Sequence, residues 1–268
     1  MKNRNSGFTL IELLAAVTIL LIIVWMMATI FTETNRAWNV GTGRAANNTE
    51  GRAALQMITH DLEYAVADEL LTFHMGPDRY GISPFGFDSD EICAVSIQHD
   101  SSDGNRAARE VHYYLKQTTN TVSTYQLQRG YFAGSIISNA AEHCYWNRDW
   151  WRTTSQGGAG RPPSQIIAEN VVALAFYCPD PADPQQMIRE YDSATIVNRD
   201  MLPPYVDVLL EVLNEREAAQ AEQMVDAGLP DETVKEFIEK NLRRHSTRVY
   251  FQNRHGYRSR FECSWCVE

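Results

Sequence analysis

GFTLIELLAAVTILLIIVWMMATIF, residues 7–31, decides how the rest of the chain is read. Between Phe8 and Phe31 only Thr9, Glu12, Thr18 and Thr29 interrupt an apolar run, and no proline or glycine follows Gly7 within it. At ~1.5 Å rise per residue such a helix is roughly 36 Å long, enough to cross a ~30 Å hydrocarbon core with some tilt. Ahead of it stands a polar segment, Met1 to Ser6, carrying Lys2 and Arg4. Positive charge on that side predicts that residues 1–6 stay cytoplasmic and that the bulk of the chain crosses the membrane. Glu12 is out of place by composition. An ionisable group inside a membrane segment is costly and is a functional candidate by default. The run is longer than the ~7–15-residue apolar core of a secretory signal, and no small-x-small cleavage site follows it before Trp38. A plain signal anchor is the alternative.

The string Gly7-Phe8-Thr9-Leu10-Ile11-Glu12 resembles the processing site of type IV prepilins and type II secretion pseudopilins. The resemblance implies cleavage between Gly7 and Phe8 by a prepilin peptidase and N-methylation of Phe8. It also implies an assembly role for Glu12, whose carboxylate would meet the cationic amino terminus of a neighbouring subunit. It further implies a bacterial inner-membrane protein with a single pass, its N-terminus cytoplasmic and its head periplasmic or in an extracytoplasmic filament. The segment Gly51-Arg52-Ala53-Ala54-Leu55 through Asp61-Leu62-Glu63 is similar to J-type minor pseudopilins and W-type minor pilins. So are the tyrosine-rich strand before Lys116, the following strand with Arg129, and the strand entered through Leu202-Pro203. Other pilin subunits, contacted through the N-terminal helix, are the implied partners.

The expected fold class is α+β: a long N-terminal helix packed on an antiparallel β-sheet head with a helical hairpin insertion. Residues 1–7 are the expected leader and 8–31 the transmembrane half of the helix. Residues 32–71, free of proline, are its amphipathic half, with Leu55, Ile58, Leu62 and Val66 on one face. Gly41, Gly43 and Gly51 should weaken it by about 1 kcal/mol each relative to alanine and offer places to bend. His60 and Asp61 point about 100° apart on a helix and read as solvated or capping groups. Residues 72–268 form the head. There Met75 to Ser89 reads as loop, Ile92 to Gln98 as strand, and Val111–Lys116 with Thr124–Phe132 as an antiparallel hairpin. Val171–Tyr177 and Leu202–Leu213 read as strands, residues 215–244 as a solvated helical hairpin, and Ser246–Gln252 as a returning strand.

The formal net charge of −10, more negative still without Lys2 and Arg4, excludes nucleic acid as the main partner, because no basic stripe offsets phosphate charge. Five cysteines leave at least one thiol without an intramolecular partner. Cys263-Ser264-Trp265-Cys266 is a lone C-x-x-C: a terminal disulfide, two free thiols, or a redox or metal pair. Aromatic residues Trp146, Trp150 and Trp151 beside a glycine-rich stretch form either a contact surface or the plug of a small core. His143 and Cys144 lack a third ligand at a diagnostic spacing. With no phosphate loop, nucleophile motif or calcium-loop pattern, no cofactor, metal or catalytic residue is expected. The leading expectation is a structural subunit. The alternatives are a membrane-anchored oxidoreductase using Cys263 and Cys266, and a membrane-anchored binding module using the Trp146–Trp151 region.

Overall fold

The computed structural model describes residues 10–67, 71–78, 85–99, 106–117, 123–133, 164–195, 198 and 201–252. The chain divides into two units, Met1–Ala46 and Asn47–Glu268. Helix α1, Leu10–Glu63, is continuous through both. Strands β1 (Ala65–Val66), β2 (His74–Pro77), β3 (Asp90–His99), β4 (Arg106–Gln117), β5 (Tyr125–Ala133) and β6 (Ser164–Pro179) follow. Then come β7 (Met187–Ile188), β8 (Tyr191–Asp192), β9 (Tyr205–Val212), helices α2 (Glu215–Asp226) and α3 (Asp231–Asn241), and β10 (Arg243–Tyr250). The fold is α+β and pilin-like: a long apolar N-terminal helix followed by a curled antiparallel sheet with helices.

The sheet runs β10-β9-β6-β5-β4-β3-β2-β8. Its curl brings the start of β3 back to β6, where the Leu174 amide donates to the Asp88 carbonyl at 3.0 Å and the Phe176 amide donates to the Asp90 carboxylate at 2.9 Å. The main core lies between the end of α1 and one face of the sheet. Ala54, Leu55, Ile58 and Leu62 meet Ile92, Tyr113, Leu127, Leu174, Phe176, Val208 and Leu210. The alternation of strand side chains puts Val111, Tyr113 and Leu115 on this face and leaves Glu110, His112 and Tyr114 on the other. Asn170 takes a positive φ of 53° beside the register shift in the β6–β9 pairing at Val171/Ala173, a conformation asparagine tolerates better than most residues.

Two differences from the sequence reading lie where α1 gives way to the sheet. Helix α1 ends at Glu63, not near Leu71, because Ala65 and Val66 pair with Ser96 and Val95 of β3. No local breaker marks that stop. His74–Pro77 is a strand held between β3 and β8, although Met75 onward reads as loop in the sequence. Pro77 is tolerated as its last residue.

The helical hairpin is not merely solvated. Ala218 and Ala221 of α2 and Val234 and Ile238 of α3 close a second core with Phe85, Val172 and Leu213. Asn214 caps α2, accepting from the Glu217 amide at 2.8 Å while Glu217 reaches back to the Asn214 amide. Gly228, at φ +69°, ends it. Glu222 accepts from the amide and hydroxyl of Ser123 at 3.1 and 2.7 Å, tying α2 to the approach of β5.

Strand β10 forms one end of the strand order. On its exposed face Arg244 pairs with Glu211 at 2.6 Å, and Arg248 grips Asp207 at 2.6 and 2.8 Å while lying 4.0 Å over the Tyr205 ring.

The glycines of α1 do not act alike. Gly51 is buried, and a Cβ there would stand 2.7 Å from Cδ2 of His245 on β10. It is a close-approach glycine, not a bend. A Cβ on Gly41 meets nothing within 4 Å. Gly51→Ala is therefore expected to lower the unfolding free energy by about 1–3 kcal/mol through overpacking. Gly41→Ala is expected to raise helix stability by up to about 1 kcal/mol. Chemical denaturation of both variants in detergent, followed by circular dichroism, checks the opposite signs.

Candidate functional site

The N-terminal part of α1 is where composition and geometry converge. Leu10–Trp38 contains an 18-residue window of mean hydropathy 2.7, none of it buried within the chain, and this helix is long and apolar enough to cross a membrane. Three of its threonine hydroxyls are satisfied locally. The Thr18 hydroxyl donates to the carbonyl of Leu14 at 2.7 Å, Thr29 to that of Trp25 at 2.9 Å, and Thr32 to that of Thr29 at 2.8 Å. Each hydroxyl thus turns its donor onto its own helix, which lowers the cost of a threonine in hydrocarbon. Glu12 lies in the first helical turn, where the helix dipole favours a negative charge, and is the one charged residue between Leu10 and Thr32. Gly7 and Phe8 lie outside the described residues.

Residues 2–28 match the family model for the prokaryotic N-terminal methylation motif. This is the N-terminal motif of the type IV pilin and pseudopilin family, and it leaves the subtype open. It implies a prepilin-like subunit processed by prepilin peptidase and anchored in the membrane before assembly. Proteins of that family are typically structural and not enzymatic. No curated protein matches the chain.

Beyond the motif, several buried charged groups of the head hold its elements together. Asp61, read from the sequence as solvated or capping, is 2% exposed. Arg129 of β5 holds it in two places, Nε to Oδ2 at 2.7 Å and Nη2 to Oδ1 at 3.0 Å. The Tyr113 hydroxyl of β4 donates to the same carboxylate. Burial, then the Asp61 charge, pushes the Tyr113 phenol well above its ordinary value, so it remains a donor. His60 is exposed, as expected. The sequence did hold a signal for Asp61: it stands three residues after Ile58 and one before Leu62, on the apolar stripe itself.

Arg189 bridges Asp88 and Asp90 in the same manner, tying the β7–β8 connection to the entry of β3. On the other face of the sheet, His112 Nε2 lies 3.0 Å from Glu91 Oε2, both almost fully buried. Glu110, two residues away on the same face, has both carboxylate oxygens buried with no hydrogen-bond partner among the described residues. Burial pushes its carboxyl up to about 8.

Among the described residues no group of three or more His, Cys, Asp or Glu is placed to hold a metal ion. A cavity of about 410 Å³ opens between Pro179–Pro184 and Met201–Pro204, floored by Tyr191. Among the described residues that line it, the one carboxylate is Asp180, which accepts from the Ala182 amide at 2.8 Å and shapes the turn. Cys93 and Cys178 are buried and in no disulfide; burial, with Asp180 adding, pushes the Cys178 thiol up to about 12. Cys144, Cys263, Cys266, His143, Trp146, Trp150 and Trp151 lie outside the described residues.

Two outcomes follow from these contacts. Asp61→Asn leaves the Arg129 charge uncompensated in a half-buried place and is expected to destabilise the head by about 3 kcal/mol, read by denaturant unfolding. Glu110 binds its proton more tightly folded than unfolded, between its ordinary value of 4.5 and about 8. Its contribution is intact below 4.5 and is lost as pH rises through about 8. Glu110→Gln, neutral throughout, is expected to exceed the wild type in stability by a margin that widens by about 1 kcal/mol per pH unit across that window. Unfolding curves at a series of pH values check it.

Proposed function

We propose that this chain is a minor pseudopilin or pilin-like subunit that joins a type II secretion pseudopilus or type IV pilus-like filament near its tip. The observation that carries the reading is the methylation motif at residues 2–28, contiguous with an unburied apolar helix that runs on into a folded head. In this reading residues 1–7 are a leader. Prepilin peptidase cuts between Gly7 and Phe8, and Phe8 is N-methylated. Residues 8–31 span the inner membrane from a cytoplasmic N-terminus, 32–71 lead into the head, and 72–268 form a periplasmic head with an insertion at about 215–244.

The chemistry of Glu12 suits this role. A carboxylate held in an apolar segment gains most from a cation that arrives in the same low-dielectric layer. A methylated amine keeps its positive charge, so the new N-terminus of a neighbouring subunit supplies that cation. The rest of the segment, with its threonine hydroxyls bound to their own backbone, is left for helix–helix packing with other subunits.

The tip position draws on the head. Helices α2 and α3 fill a core of their own and add bulk to one part of the sheet. Such bulk is hard to repeat at every step of a close-packed filament and easy to carry once at its end. The similarity of the Gly51–Glu63 segment and the Arg129 strand to J-type subunits points the same way.

Intact mass and N-terminal sequencing of the protein from its native membrane test the processing, and its copy number in isolated filaments tests the position. The expected result is a chain beginning at N-methyl-Phe8, present at few copies per filament. An intact Met1, or cleavage after the apolar run, overturns the processing. A filament built mainly of this chain overturns the tip role.

A further inference from the structure

The contact between Gly51 and His245 couples the seating of α1 to the protonation of one ring. His245 lies on the face of β10 turned toward α1, opposite Leu210 of β9, and Gly51 admits it because it has no Cβ. A methyl group there would reach Cδ2 at 2.7 Å, Nε2 at 2.8 Å and Cγ at 3.1 Å, so the ring lies flat against the helix backbone. Nε2 is buried and has no hydrogen-bond partner among the described residues. In the neutral ring this atom needs no acceptor when the proton sits on Nδ1. In the charged ring both nitrogens carry protons, and Nε2–H then faces helix backbone whose interior carbonyls are already engaged.

The charges around the ring do not favour the cation. Arg52 follows Gly51 on the helix, and Arg243 precedes His245 by two residues on the same face of β10. Glu50, the carboxylate nearest in sequence, is turned to the Glu169 amide at 2.7 Å. On β9 the neighbours Val208, Leu210 and Val212 are all apolar.

We propose that His245 is an acid-sensitive latch: protonation of its ring unseats α1 from β10 at Gly51 and loosens the helical turns on either side, residues 47–55, while the Asp61–Arg129 pair holds the end of the helix in place. Burial, then the Arg52 charge, holds the ring below its ordinary 6.5. The folded state therefore prefers the neutral ring. The contact is fully present above 6.5 and is lost as pH falls through the lowered value. The inference rests on the head alone and stands whether or not the chain enters a filament.

The test is hydrogen–deuterium exchange of the full-length chain in detergent micelles at about pH 5 and about pH 7.5, corrected for intrinsic amide rates. Wild type is expected to exchange several-fold faster over residues 47–55 in acid, and His245→Gln to lose that increase. Arg52→Gln is expected to shift the midpoint toward higher pH. An equal acid response in His245→Gln, or none in wild type, overturns the latch. If His245→Gln fails to fold, an NMR titration of the His245 ring in wild type decides. A midpoint below 6.5 that moves with the 47–55 amides supports the latch, and a midpoint at or above 6.5 overturns it.

Discussion

One buried ion pair sets how the end of α1 meets the sheet. Leu55, Ile58 and Leu62 supply most of the attraction, since each removes a large apolar side chain from water, but that attraction has no direction. A helix can slide by a turn along an apolar surface at modest cost. Asp61 forbids it. Its carboxylate is matched in geometry to the two donors of Arg129 and to the Tyr113 hydroxyl, and any shift leaves a charge buried without its partner. The apolar stripe thus provides strength and the ion pair provides register. Arg189 performs the same service where the curled sheet returns on itself at Asp88 and Asp90.

What was legible in the sequence follows from how local each signal is. The membrane segment and its motif are contiguous, so Gly7, Phe8 and Glu12 could be singled out without any knowledge of the fold. The start of the helical hairpin and its central break were legible because Gly228 and Pro230 act within a few residues. Its end was not: the second helix stops at Asn241 and Arg243–Tyr250 is strand, where the sequence reading carried helix to 244 and began the strand at Ser246. The β4–β5 pair was also visible, as two alternating stretches joined by a polar turn. The end of α1 was not, because what stops it is pairing of Ala65 and Val66 with a strand some thirty residues away. Strand β2 was hidden for the same reason: Gly76 and Pro77 look like a turn until β3 and β8 are placed on either side.

The residues misread in the candidate site were those whose meaning depends on a partner distant in the chain. Asp61 carries a charge and so looked like surface, though its place on the Ile58–Leu62 stripe argued otherwise. Arg129 had no assignable role until the sheet put it beneath the helix. Gly51 looked like a weak point in a helix and is instead a recess cut for a ring on β10. Composition reports what a residue prefers. Only the fold reports what it is given.

Among the described residues strand β10 ends the strand order, and the backbone groups of an end strand can recruit other strands. Here the outward side chains are large, charged and already committed: Arg244 to Glu211 and Arg248 to Asp207. A foreign strand approaching this side would have to insert itself beside bulky guanidinium groups and disturb both pairs. The border is therefore policed sterically and electrostatically while its net charge stays close to neutral. Such a border resists pairing with a second sheet without the repulsion that a row of bare arginines would impose.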